Sequence, residues 1–276
     1  MTDFLILFVA AISAGMLGAL TGLGGGVIIV PLLTIGFGVP IHYAVGASLI
    51  CIIGTSTGAA SAYVKEGFTN MRVGIFLEVS TTLGAIAGAM LAGLLPGSIL
   101  GIIFGLILLV TVVINTRTKP NHKTQRTEGS LADKLKLYGS YPDRGEEVSY
   151  AASNVMGGFG MMGVAGMLSG LLGIGGGAFK VLAMDNIMKL PFKVSTTTSN
   201  FMIGVTAATS SLIYFQRGHI IPELAAPVLL GVVIGSFAGT KIFMKAKTQS
   251  LKVLFAVVVS AVSIYMIYNG ITNYLK

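Results

Sequence analysis

The sequence predicts an all-α, polytopic membrane protein of two inverted repeats, each with a glycine-broken helix or hairpin plus three full spans. Three observations support this prediction: the composition, an internal repeat and the distribution of basic residues. Of the 276 residues, 54% are hydrophobic and only 10% are charged, and the mean hydropathy is +0.86. A soluble domain carries about 25% charged residues, so this composition could not cover a water-exposed surface.

An internal repeat relates the two halves of the chain. Residues 14–31 and 165–182, at an offset of 151, are identical at ten of eighteen positions. The same register, without a gap, also pairs Pro40 with Pro191, Ser48 with Ser199, Thr55 with Thr206, Gly84 with Gly235 and Gly88 with Gly239. Because glycine-rich apolar segments would not hold one register for about 75 residues by chance, we interpret the chain as a duplicated membrane unit.

The chain divides into a first membrane repeat (1–115), a polar linker (116–149) and a second membrane repeat (150–276). The linker holds seven Lys or Arg residues and five Asp or Glu residues. This composition indicates a solvated connection, with a short helix over 133–139.

Each repeat contains five apolar segments. They cover about 4–22, 24–38, 41–63, 73–95 and 98–115 in the first repeat, and about 151–172, 175–189, 194–215, 223–244 and 250–271 in the second. A helical span needs about 20 apolar residues, so four segments in each repeat are long enough to cross a bilayer. The remaining segment, of about 14 residues, starts at a glycine triplet and is too short.

The basic residues favour an inverted second repeat. If each glycine-containing segment folds back as a hairpin, each repeat makes an odd number of crossings. Setting Lys180 aside, this arrangement places 15 Lys and Arg residues on the linker side and two on the other, whereas a parallel repeat divides them 11 to 6. Since cytoplasmic loops are enriched in Lys and Arg, we expect a cytoplasmic linker and external termini in the cell (inner or plasma) membrane.

The two glycine triplets, Gly24–Gly26 and Gly175–Gly177, are the strongest candidates for a substrate site. Each glycine destabilises a helix interior by about 1 kcal/mol relative to alanine. A helix broken at membrane depth must line a cavity or be buried in protein, and it leaves free amide N–H groups that bind anions. Close helix packing is the alternative interpretation, and it is the one we favour for Gly84 and Gly88, where no break is evident.

Polar residues near the triplets extend this candidate site. Lys180 would supply a positive charge to a bound anion, unless its ammonium reaches the membrane surface instead. Hydroxyl and amide groups would complete the shell, with hydrogen bonding to their own helices as the alternative. The candidate substrate-binding residues are Gly24, Gly25, Gly26, Gly175, Gly176, Gly177, Lys180, Ser199, Asn200, Thr55 and Thr206. Glu78 is a weaker candidate for relaying a coupling proton, and an interfacial carboxylate is its alternative interpretation.

The segments GLGGGVIIVP (22–31) and GIGGGAFKVL (173–182) resemble those of the sulfite exporter TauE/SafE family, also called the toluene sulfonate uptake permease family. The resemblance covers nearly the whole chain: two homologous halves, a glycine-rich motif near the start of each, and a polar linker. It implies a polytopic permease for sulfur-containing anions. The matching residues are Gly24, Gly25, Gly26, Gly175, Gly176 and Gly177, and no coupling-ion residue is carried over.

These observations together predict a secondary transporter that exports small sulfur-containing anions such as sulfite, thiosulfate or organosulfonates. A passive anion channel is an alternative, as is an intramembrane enzyme. An enzyme would need a nucleophile–base pair or a metal site, but the histidines are far apart and Cys51 is the only cysteine. We therefore expect no cofactor, no metal and no nucleic-acid partner. The coupling ion, a proton or sodium, and the oligomeric state stay open.

Overall fold

The computed structural model describes residues 2–21, 25–65, 68–117, 129–143, 146–243 and 248–274. The first half contains α1 (Thr2–Thr21), α2 (Gly26–Pro31), α3 (Ile41–Lys65), α4 (Met71–Ala92) and α5 (Gly97–Arg117). The second half contains α7 (Val155–Leu172), α8 (Gly177–Leu182), α9 (Phe192–Gln216), α10 (Pro222–Phe243) and α11 (Thr248–Tyr274). Between them lie α6 (Leu131–Lys134), β1 (Tyr138–Asp143) and β2 (Glu146–Ala151). Helices α2 and α8 each continue as a short π-helix, Leu32–Gly36 and Ala183–Ile187.

The two halves interlock. Helix α1 packs on α10 and α4 packs on α7, so the first helix of each repeat contacts the fourth helix of the other. Gly84 lies against the Gly163 carbonyl, and its repeat counterpart Gly235 lies against the Ile12 carbonyl. Ile12 and Gly163 are themselves related by the offset of 151. The same close backbone contact is therefore made twice, which confirms that Gly84 is a packing glycine in an unbroken helix.

Repeat-equivalent helices pack against each other in opposite directions. In the α5–α11 pair, Gly105 faces Ser263 while Gly270 faces Ser98, so residue numbers rise along one helix as they fall along the other. In the α3–α9 pair, Gly46 faces His219 near the start of one helix and the end of the other. Both pairs are therefore antiparallel.

The glycine-containing segment of the second repeat folds back on itself. Gly176 lies close to the Ala165 carbonyl, and Met188, which follows the π-helix, packs on Gly158 near the start of α7. The Ser153 amide donates a hydrogen bond to the Met188 carbonyl at 2.8 Å. Helix α8 and its π-helical continuation thus return along α7, so this segment is a hairpin. In the first repeat the corresponding turn, 22–24, lies outside the described residues.

The linker contains structure that the sequence analysis missed. Its helix, α6, is shorter and starts earlier than the predicted 133–139. Strands β1 and β2 form an antiparallel hairpin that extends to Ala151, beyond the predicted boundary at 149. The hairpin side chain Tyr150 and the neighbouring Leu137 are buried against Val73 and Val155. The all-α prediction therefore holds for the apolar segments but is wrong for the linker, part of which caps one end of the helical bundle.

The outward side of α4 is apolar. Ile75, Val79 and Leu83 follow one another at helical spacing and are 58%, 56% and 64% exposed. A continuous apolar stripe of this kind is unfavourable in water and matches a lipid environment. By length and composition alone, α4 and α7 qualify as membrane spans among the described helices.

Candidate functional site

The two glycine breaks meet inside the bundle. A Cβ atom on Gly26 would lie 2.5 Å from the Gly173 carbonyl oxygen, so only glycine fits where α2 begins. Gly25, Gly175 and Gly176 have φ values of +70°, +74° and +65°, in the left-handed region that favours glycine. We call this place, formed by Gly25, Gly26 and 173–177, the glycine junction. The structure thus brings Gly25 and Gly26 of the first triplet next to the segment that contains the second, although the triplets are 151 residues apart in the sequence.

Two repeat-equivalent serines support the glycine junction from α3 and α9. The Ser48 hydroxyl donates to the Gly173 carbonyl at 2.7 Å, and the Ser199 hydroxyl donates to the Gly177 carbonyl at 3.3 Å. The last carbonyl groups of a helix have no intrahelical partner, and Ser48 satisfies one of them, that of Gly173 at the end of α7. Ser199 bonds the first residue of α8. Ser199 therefore lies at the predicted site, where its hydroxyl bonds the broken backbone.

Two other predicted residues lie apart from this arrangement. The Thr55 hydroxyl donates to the Ile52 carbonyl of its own helix at 3.2 Å, as the alternative interpretation of the hydroxyl groups anticipated. Asn200 is half-buried and makes none of the described hydrogen bonds to the glycine junction. Gly24, the remaining predicted residue, lies outside the described residues.

Lys180 points into the protein interior. Its side chain is 0% exposed, and its ammonium group donates a hydrogen bond to the Thr206 hydroxyl on α9. The interpretation in which the ammonium reaches the membrane surface is therefore wrong. Lys180 lies in α8, three residues after Gly177, and Ile203, which contacts Gly175, is about one helical turn before Thr206. The charge and the broken backbone are neighbours.

Glu78 completes a chain of three polar side chains. The Thr206 hydroxyl donates to Glu78 Oε1 at 2.7 Å, and the Thr82 hydroxyl is 3.4 Å from the same oxygen. Glu78 is 7% exposed, so its carboxylate lies inside the helical bundle. Its depth in the membrane stays a prediction. We call Lys180, Thr206 and Glu78 the charge cluster. It joins α8, α9 and α4, and its formal net charge is zero when both ionisable groups are charged.

The charge cluster has unused hydrogen-bonding capacity. The other carboxylate oxygen, Glu78 Oε2, is buried without a hydrogen-bond partner in the described part of the chain. An ammonium group carries three N–H donors, and among the described residues Thr206 is the acceptor of Lys180. Buried polar groups are nearly always satisfied, so unused donors and acceptors at one place indicate a position for a ligand or a proton.

Sequence reasoning did not connect Glu78 with Lys180. The two residues belong to different repeats, and their repeat counterparts are Leu229 and Ile29. The available signal was their charge: ionisable residues inside a membrane pair with one another, and these two have opposite signs. A further acidic residue, Asp185, is buried in the π-helix that follows α8.

A cavity of about 430 Å³ opens at the end of the bundle where α3 and α5 begin and α11 ends. Its polar lining comes from Thr34, His42, Ser98, Asn269 and Asn273. The His42 ring is 5.2 Å from that of His219, in the loop between α9 and α10. Burial, together with the neighbouring His42 ring and the Arg217 guanidinium, holds the pKa of His219 below its usual value. The neutral form of His219 is therefore favoured at neutral pH.

Among the described residues, no group of three or more His, Cys, Asp and Glu side chains could hold a metal ion.

The family model and the related proteins that match this chain all describe membrane transporters. The family model described as "Sulfite exporter TauE/SafE" matches residues 7–266. The "Probable membrane transporter protein YunE" of Bacillus subtilis (strain 168) is 29% identical, with 98% of this chain and 99% of the relative covered. The "Probable membrane transporter protein YdhB" of the same organism is 27% identical over 87% and 89% of the two chains. The "Probable membrane transporter protein MJ0441" of Methanocaldococcus jannaschii is 24% identical over 95% and 94%. No solved structure matches.

Proposed function

The chain belongs to the sulfite exporter TauE/SafE family and is a multi-pass membrane transporter, and we propose that it exports small sulfur-containing anions such as sulfite, thiosulfate or organosulfonates. We place it in the cell membrane as a secondary transporter. The observation that carries this proposal is the meeting of two glycine breaks directly beside a buried lysine. A buried cation next to broken helices favours an anionic ligand over a neutral or cationic one.

We propose that the anion binds to the amides of the glycine junction and to Lys180. In α2 the first intrahelical bonds run from the Ile28 and Ile29 amides to the Gly25 carbonyl, at 3.0 and 3.1 Å. In α8 the Lys180 amide donates to the Gly176 carbonyl at 3.0 Å. Amides that precede these bonds have no intrahelical acceptor, because helix geometry gives them none. Oxyanions of sulfur accept several hydrogen bonds at once, which suits such a convergent set of donors.

The further site residues have supporting roles in this proposal. Thr206 positions the Lys180 ammonium, and Ser199 stabilises the broken backbone at Gly177. Asn200 and Thr55, which make no described hydrogen bond to the glycine junction, stay in the proposed set as polar residues of α9 and α3. The full proposed set is Gly24, Gly25, Gly26, Gly175, Gly176, Gly177, Lys180, Ser199, Asn200, Thr55 and Thr206.

We also propose that the two halves are inverted repeats whose relative movement alternates access to this site. Antiparallel packing of repeat-equivalent helices, α3 with α9 and α5 with α11, supports an axis in the membrane plane. The hairpin formed by α7 and α8 supports the odd number of crossings that inversion requires. In this arrangement the β1–β2 hairpin is cytoplasmic, and the cavity at the start of α3 and α5 opens to the outside.

This topology predicts opposite labelling of two cysteine variants. Cys51, the only cysteine, is buried, so Cys51→Ser provides a background without reactive thiols. On this background, Glu223→Cys at the start of α10 should react with a membrane-impermeant maleimide in intact cells. Ser149→Cys in β2 should react only after the cells are permeabilised. Both native side chains are exposed, so accessibility of the two positions is matched. Labelling of both variants from the same side would contradict the inverted arrangement.

Flux measurements test the transport proposal. Purified protein in liposomes should exchange external radiolabelled thiosulfate or methanesulfonate for the same unlabelled anion trapped inside. Sulfate and chloride should compete weakly or not at all, and empty liposomes serve as the control. Exchange that saturates with anion concentration indicates a carrier, whereas conductive flux that does not saturate indicates a passive anion channel. If none of the sulfur anions moves, the proposed function is wrong.

A further inference from the structure

We propose that the Glu78 carboxylate and the transported anion compete for Lys180, so that one proton accompanies each monovalent anion through the membrane. This inference rests on the proposed function and adds to it the coupling ion, the residue that carries the ion and the stoichiometry. It follows from the contacts of the charge cluster and from the free energy of charge in a low-dielectric interior.

The contacts place both competitors at the same cation. Thr206 accepts a hydrogen bond from the Lys180 ammonium and donates one to Glu78 Oε1 at 2.7 Å, so it bridges the two charges. Lys180 also lies in the half-helix that begins at the glycine junction, where the anion is proposed to bind. An anion that approaches the remaining N–H groups of Lys180 therefore adds a second negative charge beside the carboxylate. Two negative charges sharing one cation are unfavourable in a protein interior.

Net charge decides which states of the site are stable. The empty site, with Lys180 and Glu78 both ionised, is neutral. The site that holds a monovalent anion is neutral only if Glu78 is protonated. The two mixed states, an anion beside ionised Glu78 or protonated Glu78 without an anion, carry an uncompensated buried charge, which is costly. The empty and fully loaded carriers are therefore the two forms that can reorient across the membrane.

Thr206 is suited to follow this change in protonation. A hydroxyl has one proton to donate, and Thr206 has two acceptors within reach: Glu78 Oε1 at 2.7 Å and the Met202 carbonyl at 2.9 Å. When Glu78 is ionised, donation to the carboxylate is the stronger bond. When Glu78 is protonated, the hydroxyl can donate to the Met202 carbonyl instead. The buried and unpartnered Glu78 Oε2 is the atom that accepts the proton.

No other ionisable group competes with Lys180 for Glu78 among the described helices that pack around the charge cluster. Helix α7 has no ionisable residue, and Arg72 on α4 is exposed in the first turn of its helix. On α9, Lys193 is exposed in the first turn and Tyr214 donates to carbonyls of α7. The remaining ionisable residues of these elements are Asp185, after α8, and Arg117, at the far end of α5. Helix α3, which packs on α9, adds His42, Tyr43, Cys51, Tyr63 and Lys65.

Coupling of this kind constrains the direction of transport. A monovalent anion that moves with one proton carries no net charge, so the membrane potential does not drive it. Export then requires an outward anion gradient larger than the inward proton gradient. The protein would therefore export the anion only when its cytoplasmic concentration becomes high enough to exceed the opposing proton gradient.

The test compares the wild type with Glu78→Gln in liposomes, using monovalent methanesulfonate and divalent thiosulfate. The charges of both anions are constant between about pH 6 and pH 8, so any proton must be carried by the protein. The wild type should accumulate methanesulfonate about tenfold per unit of pH gradient, alkaline inside, with no response to an imposed membrane potential. Glu78→Gln should keep anion exchange and lose this accumulation. Glu223→Gln, which neutralises an exposed carboxylate on α10, is the matched control and should accumulate as the wild type does.

Two further readouts separate the outcomes. Anion affinity of the wild type should fall as pH rises, by about tenfold per unit where Glu78 is ionised, and this measurement needs no variant. If the wild type exchanges neither anion, the proposed function fails. If it exchanges them but Glu78→Gln still accumulates methanesulfonate, or wild-type affinity does not depend on pH, transport stands and the competition is overturned.

Discussion

Replacing Lys180 with methionine is expected to lower the affinity for the transported anion at least about 100-fold. Methionine keeps an unbranched apolar side chain of similar length, so it removes the charge without opening a large cavity. The loss corresponds to about 2.8 kcal/mol, the range expected when one or two charge-assisted hydrogen bonds disappear. The same change should lower the free energy of unfolding by about 3–5 kcal/mol, because Glu78 would then be a buried charge without its cation.

The double variant Lys180→Met, Glu78→Gln separates binding from folding. Removing both charges leaves no uncompensated ion, so most of the lost stability should return. Anion binding should not return, because the cation that attracts the anion is still absent. Thermal unfolding in detergent and anion binding by calorimetry measure the two effects. If Lys180→Met binds the anion as tightly as the wild type does, Lys180 is only the structural partner of Glu78.

The sequence predicted the apolar helices well and the relation between their polar residues poorly. The segment predicted at 73–95 is helix Met71–Ala92, and the one predicted at 41–63 is Ile41–Lys65. These agree because span length and the ends of apolar runs are local properties of the chain. The repeat also gave the two triplets equivalent positions in the sequence, and the structure places Gly26 against Gly173, just before the second triplet.

The charge cluster escaped prediction because it breaks the repeat. The repeat counterpart of Lys180 is Ile29, and that of Glu78 is Leu229. Comparison of the two halves therefore gives no sign that Lys180 and Glu78 interact. Their proximity depends on how α4, α8 and α9 pack, which is a tertiary property. The β1–β2 hairpin escaped for another reason: its strands are polar, and composition alone assigned the whole linker to solvent. Burial of Tyr150 and Leu137 against the helices stabilises it.

Alanine at Gly166 or at its repeat counterpart Gly15 is expected to destabilise the protein strongly. A Cβ atom at Gly166 would meet the Thr81 carbonyl, and one at Gly15 would meet the Val232 carbonyl. Both contacted atoms belong to the backbone of a packed helix, so neither can shift unless the whole helix moves. Overpacking of this kind costs about 1–3 kcal/mol and often more when helices must separate.

Gly160→Ala is the matched control for these variants, because Gly160 lies in the same helix as Gly166 and nothing lies within 4 Å of its added methyl group. It should leave the melting temperature unchanged or raise it, since alanine is the better helix former by about 1 kcal/mol. The repeat leads to a second prediction. Because Gly15 and Gly166 occupy equivalent positions in α1 and α7, their alanine variants should lower the free energy of unfolding by similar amounts. Thermal unfolding of the purified variants in detergent measures both effects. If Gly166→Ala were as stable as Gly160→Ala, α4 and α7 could not pack as closely as described. A large loss at Gly166 with none at Gly15 would contradict the equivalence of the two interlocking contacts.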